Sequence, residues 1–190
     1  MAPPLLTLDD IALTFGGTPL FTGASLSVAP RDRIALVGRN GSGKSTLLKI
    51  AAGTVEADGG GRYLDPGATV AYLPQEPDFS GFETALDYAA ADLAPTDDPS
   101  APERFLDALG LDGMKDPMRL SGGEARRAAL ARILAPAPDI ILLDEPTNHL
   151  DLPAIEWLES AIAGARAAVV VISHDRSSGA GDSAFQPFNR

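Results

Sequence analysis

Gly38-Arg39-Asn40-Gly41-Ser42-Gly43-Lys44-Ser45 decides the reading of this chain, because it satisfies G-x-x-x-x-G-K-[ST] at every fixed position. The glycines let the backbone wrap close to an anion, and successive N–H groups at the start of a helix then point at phosphate oxygens. In such a loop Lys44 faces the β- and γ-phosphates, the Ser45 hydroxyl is placed to ligate Mg²⁺, and Thr46 follows on the helix. The flanks agree. Ile34 to Val37 is a short apolar run that reads as a buried strand, and Ser45 to Ala52 reads as a helix closed by Gly53. The alternative, a glycine-rich turn before a helix, does not ask for the lysine and the hydroxyl together.

Working outward, Ile140 to Leu143 is an apolar run suited to a central parallel strand, and it ends on Asp144-Glu145. Ligands of open α/β sheets sit beyond the carboxyl ends of the strands. Asp144 is therefore a candidate to hold Mg²⁺, and Glu145 a candidate to orient, or take a proton from, an attacking water. Leu120-Ser121-Gly122-Gly123-Glu124 precedes another helical stretch, Ala125 to Leu134. Ser121 and Glu124 have the spacing of an S-x-x-E capping box. The two glycines would equally bare the helix N-terminus for a phosphate.

Leu5 to Thr14 and Ala24 to Val28 alternate as strands around Gly16-Gly17, and Gly59-Gly60-Gly61 reads as a flexible turn. Val70 to Leu73 is a strand stopped by Pro74. Thr84 to Leu93 and Glu103 to Leu109 read as helices, with a Pro- and Asp-rich loop between them. Ala154 to Ile162 reads as a helix and Ala168 to Ser173 as a buried strand. The order predicts an α/β domain with a mainly parallel sheet, N-terminal antiparallel strands and a small helical subdomain over about 76–135. Residues 177–190 are rich in Ser, Gly and Ala without periodicity, and are expected to be disordered.

The chain has 190 residues, no cysteine and a net charge of −11. The missing cysteines exclude disulfides and thiolate metal sites and fit a cytoplasmic protein. The acidic balance argues against holding free nucleic acid by phosphate neutralisation. No apolar run approaches the ~20 residues of a membrane span, so direct membrane insertion is not expected.

The set Gly38–Ser45, Leu120–Glu124 and Leu142–Glu145 resembles the nucleotide-binding domain of ABC ATPases, over roughly Leu5 to Arg176. The resemblance implies a P-loop NTPase fold of the RecA-like kind, ATP and Mg²⁺ as cofactors, and ATP hydrolysis. It implies a head-to-tail dimer with a second nucleotide-binding domain, each phosphate loop facing the other's Ser121–Glu124 motif. It further implies roles for single residues whose own context is ambiguous. Gln75, otherwise a polar turn residue, matches the glutamine that senses Mg²⁺ and water. Asp151, otherwise a helix N-cap before Pro153, matches the loop crossing the dimer interface. His174, otherwise a surface residue at a strand end, matches the switch histidine at the γ-phosphate. Phe15, otherwise a core residue, matches the aromatic that stacks on adenine. Asp144-Glu145-Pro146-Thr147-Asn148-His149-Leu150-Asp151, with Ser173-His174-Asp175-Arg176, resembles the ABC-F group, whose members carry two tandem ATPase domains and mostly act on the ribosome. A transporter ATP-binding subunit and an inactive remnant are the alternatives. Beyond Arg176 the family pattern would continue with strands and a closing helix, and this sequence departs from it there.

Overall fold

The computed structural model describes residues 3–172 and the backbone of 185–187. In chain order the strands are β1 (Leu6–Phe15), β2 (Thr18–Val28), β3 (Arg33–Leu36), β4 (Gly59–Leu64), β5 (Val70–Leu73), β6 (Ile140–Asp144), β7 (Ala168–Ile172) and β8 (Phe185–Pro187). The α-helices are α1 (Lys44–Ala52), α2 (Ala85–Ala90), α3 (Ala101–Ala108), α4 (Gly122–Leu134) and α5 (Leu152–Gly164). The chain divides into two compact units: Met1–Tyr72 with Asp139–Glu145 and Arg166–Arg190, and Leu73–Pro138 with Pro146–Ala165.

In the first unit, β1 and β2 pair antiparallel around the Gly16-Gly17 turn, with Leu6 opposite Val28 and Phe15 opposite Thr18. Leu6, Leu8, Ile11 and Leu13 of β1 are buried, while neighbouring positions face outward. β4 pairs with the other edge of β1, Leu6 opposite Leu64. This strand replaces the flexible turn that Gly59-Gly60-Gly61 suggests. A side chain at Gly60 would come 2.4 Å from the Asp10 carbonyl oxygen and 2.5 Å from that of Asp9, so only glycine lets the two strands approach here.

The second sheet has the order β5-β6-β7-β3-β8. β6 and β7 are parallel, as are β7 and β3, and β8 runs antiparallel to β3. β8 lies within the stretch 177–190, for which the sequence predicts no regular structure. It satisfies backbone groups on a sheet edge that β3 would otherwise present. All five residues of β6 are buried, which explains its unbroken apolar run. Leu48 and Ile50 of α1 join Ile140, Leu142, Val170 and Ile172 in one core.

In the second unit α2, α3 and α4 pack against one another. Tyr88, Leu106 and Leu130 are buried, and Trp157 of α5 meets Phe105 edge-on at 5.9 Å. Thr84 and Asp87 close α2 with a capping box. Arg132 forms a two-pronged ion pair with Asp92, at 2.6 and 2.8 Å, and lies over the Tyr88 ring at 4.7 Å. Among the described residues no helix is long and apolar enough to cross a membrane.

Candidate functional site

β3 ends at Leu36, and the chain turns through Gly38–Gly43 into α1. Gly41 and Gly43 take φ of 80° and 88°, which L side chains rarely adopt. At Gly43 space as well as torsion demands glycine: an added Cβ would sit 2.6 Å from the Phe21 ring and 3.0 Å from Leu20. The first turn of α1 carries no side-chain cap and no acidic residue. Its free N–H groups and dipole therefore remain available to an anion. Lys44 Nζ donates to the Gly38 carbonyl at 2.8 Å and the Arg39 carbonyl at 2.9 Å, so its ammonium lies along the loop. Beside the loop is a cavity of about 400 Å³ lined by Leu20, Phe21, Ala24, Val37, Ser42 and Lys44, among others. That is the size class of small-ligand sites.

Asp144 closes β6 and is 1% exposed. Tyr72's hydroxyl lies 3.4 Å from its Oδ2. Asp144 is paired in register with Ile172, which is paired with Leu36. Asp144 and the entrance to the loop therefore stand on one row of one sheet, two strands apart, about 10 Å at normal strand spacing. Both face the carboxyl edge. A hydroxyl (Ser45) and a carboxylate (Asp144) are hard oxygen donors, the set that suits Mg²⁺. No cluster of three His, Cys, Asp or Glu side chains able to hold a metal occurs among the described residues. A cation here fits the Mg²⁺ pattern of one or two side chains completed by phosphate oxygens. Glu145, the next residue, has φ of 48°. A non-glycine residue in that region carries strain of about 1–2 kcal/mol, a cost that clusters at functional sites.

The second unit holds the other candidates. Ser121 Oγ accepts from the Glu124 N–H at 3.3 Å, and Glu124 Oε2 accepts from the Ser121 N–H at 2.9 Å, so the capping box is fully formed. Lys115 also donates to Glu124, and with Ser121 this holds the carboxyl down to about 2. The N-termini of α1 and α4 thus differ: one is uncapped, the other is closed by its own side chains. Asp151 caps α5, its Oδ1 accepting from the Ala154 N–H at 3.2 Å, and its Oδ2 accepts from Arg127 at 2.7 Å. The Arg127 bond lowers its pKa. Gln75 is exposed just after β5. Phe15, in the first unit, is 58% exposed, which rules out the core alternative and leaves a ring free to stack. His174 lies outside the described residues.

The glycines of Ser121–Glu124 are not equivalent. An added Cβ at Gly123 would come 2.8 Å from the His149 carbonyl oxygen, whereas one at Gly122 would make ordinary contact with the His149 ring at 3.7 Å. Helix propensity favours alanine over glycine by about 1 kcal/mol, but overpacking against backbone costs about 1–3 kcal/mol. Gly122→Ala is expected to melt at or slightly above the parent temperature. Gly123→Ala is expected to melt several degrees lower, at about 2–4 °C per kcal/mol for a domain of this size. Thermal melts of the two variants side by side check this.

One residue escapes the motif reading. Arg126 is 3% exposed on α4, at the head of the buried stripe Leu130, Ile133 and Leu134. A charge where the helical period asks for an apolar side chain is the signal that finds it.

Comparison with known proteins gives the family. Residues 21–148 match the protein-family model described as ABC transporter. The chain is 54% identical to the ATP-binding protein Uup of Caulobacter vibrioides, over 92% of this chain and 28% of that protein. It is 33% identical to the energy-dependent translational throttle protein EttA of Mycobacterium tuberculosis, over 93% of this chain and 39% of that one. It therefore spans well under half the length of these relatives. A solved ATP binding subunit of an ABC transporter superposes with a TM-score of 0.75 at 23% identity, over 90% of this chain and 79% of that chain, a likeness of fold. The chain belongs to the ABC transporter family of ATP-binding domains, and within it resembles the ABC-F proteins.

Proposed function

We propose that this chain holds ATP with Mg²⁺ on Gly38–Thr46 and hydrolyses it when paired head to tail with a second ABC nucleotide-binding domain, in an ABC-F-like protein that acts on the ribosome. The observation that carries the reading is the uncapped N-terminus of α1, with Lys44 lying along its loop and Asp144 on the same row of the sheet. Ser45 and Asp144 would hold the magnesium, which when bound offsets charge on the phosphate oxygens. Gln75 would contact the metal and the water. Glu145 would orient that water and receive its proton. The exposed Phe15 would stack on the adenine. His174 is assigned to the γ-phosphate on its sequence match alone.

Pairing with a second domain draws on the likeness of Ser121–Glu124 and Asp151 to the ABC motifs that face a partner domain; in the chain alone the α4 end is closed by its own capping box. α1 is open to its own nucleotide, while Ser121–Glu124 on α4 would face a nucleotide held by another domain, with Asp151 at the same interface. The ribosome assignment draws on the ABC-F pattern Asp144–Asp151 and on the likeness to a relative named a translational throttle protein.

Titration calorimetry of ATP into the chain, with Mg²⁺ and with a chelator, tests the nucleotide reading. A saturable heat that weakens on chelation is expected, and no heat from folded protein would refute it. Co-sedimentation with ribosomes in the presence of ATP tests the other half. A chain that stays in the supernatant at every nucleotide condition removes the ribosome from the proposal.

A further inference from the structure

Arg126 carries a charge that it cannot shed, since a guanidinium does not lose its proton inside a protein. Its burial is therefore sustained by acceptors. Nε donates to the Pro146 carbonyl at 3.3 Å. Nη1 donates to the Pro74 carbonyl at 2.5 Å and to the Gln75 carbonyl at 3.5 Å. Pro146 is peptide-bonded to Glu145, and Pro74 to Gln75. One guanidinium thus grips the backbone leaving the candidate water-orienting residue and the backbone entering the candidate magnesium sensor.

The segment after Glu145 is fastened to α4 at two further points. The His149 carbonyl lies against Gly123, and His149 itself takes φ of 65°. Asp151 accepts from Arg127, the residue after Arg126. Residues 146–151 are in this way laid along the first two turns of α4, the helix that begins with Ser121–Glu124.

We propose that Arg126 is a positioning residue that makes α4, the exit from Glu145 and the approach to Gln75 move as one body. Engagement at Ser121–Glu124 would then set the backbone of both residues together. The kinetic part of this inference rests on the ATPase reading; the mechanical part does not. Lysine cannot replace the fork, because a single ammonium lacks the planar donors that reach two segments at once. Removing the donor leaves the buried Pro146 carbonyl and the part-buried Pro74 carbonyl without it, which loosens the segments they belong to.

The test uses the full chain with Arg126→Lys and, as a second variant, Arg126→Met, followed by hydrogen exchange and mass spectrometry without nucleotide. Amides in 75–83 and 147–151 are expected to exchange about tenfold faster or more, the factor that ~1.4 kcal/mol of local opening produces, while β6, β7 and α1 keep the parent rates. Where the parent turns over ATP, Arg126→Lys should lower kcat about tenfold with KM within about threefold of the parent, because only alignment is lost. Unchanged exchange in both segments overturns the proposal. So does a uniform rise through every peptide in both variants, which would make Arg126 a support of its whole unit. A parent with no turnover at all would sink the ATPase reading, yet the exchange pattern would still decide the role of Arg126.

Discussion

Replacing Lys44 by alanine is expected to weaken ATP binding by roughly 10- to 150-fold while leaving the protein folded. A charge-assisted hydrogen bond contributes about 1.5–3 kcal/mol, and 1.4 kcal/mol is tenfold in affinity. Lys44 bonds the Gly38 and Arg39 carbonyls in a part of the loop that water reaches, so its loss leaves no buried polar group stranded. Ligand linkage supplies the measurement. At ATP a hundredfold above its Kd, binding stabilises the parent by about 2.7 kcal/mol, a rise of about 5–10 °C in Tm for a domain of this size. The variant should show less than half that rise at the same ATP concentration, with a nucleotide-free melt within a few degrees of the parent. An equal ATP-induced shift in both proteins would remove Lys44 from the site.

Glu145→Gln is expected to do the opposite: binding persists and turnover is lost. Glutamine keeps the shape of the side chain, and so the backbone at φ 48° need not change. What disappears is the carboxylate that accepts the proton of the attacking water. Positioned general bases contribute about a hundredfold to ten-thousandfold, so kcat should fall by that range in a paired ATPase. With hydrolysis blocked, the ATP-bound pair should accumulate. Sedimentation with Mg-ATP should show the shift to dimer in Glu145→Gln and less of it in the parent. Hydrolysis at the parent rate would show that Glu145 does not handle the water. Lys44→Ala and Glu145→Gln thus separate holding the nucleotide from using it.

How much of this was legible in the sequence depends on how local the cause is. The loop Gly38–Ser45 could be read because each position answers a local demand, a torsion or a donor, and the structure shows positive φ at Gly41 and Gly43. β6 could be read because burial on both faces leaves an unbroken apolar run. β4 could not, since glycines argue for a turn and the reason for Gly60 is the backbone of Asp9 and Asp10, some fifty residues earlier. β2 begins at Thr18, well before the alternation that announces it at Ala24, because Pro19 and Gly23 mask the pattern. Residues 146–165 look like the continuation of the sheet domain, yet they cluster with the helical unit. Ser121 and Asp151 each admit two readings from sequence, a helix cap and a role toward a second domain. The structure shows the capping geometry of both, and the roles toward a second domain stay with the proposal. Arg126 stays hidden from motif reading because its partners are carbonyls, which no motif records.

The order β6-β7-β3 has a consequence for how the protein is made. β3 leads into the phosphate loop, but its parallel neighbour β7 is roughly 135 residues further along. At about 5–20 residues per second on the ribosome, that partner emerges some 7 to 30 seconds later. Through that interval the nascent β1–β2 hairpin can close on itself, while the strand beneath the loop waits for its neighbour. A nascent chain stopped before β7 should therefore be unable to protect itself with ATP against protease, and the protection should appear abruptly once that strand clears the exit tunnel.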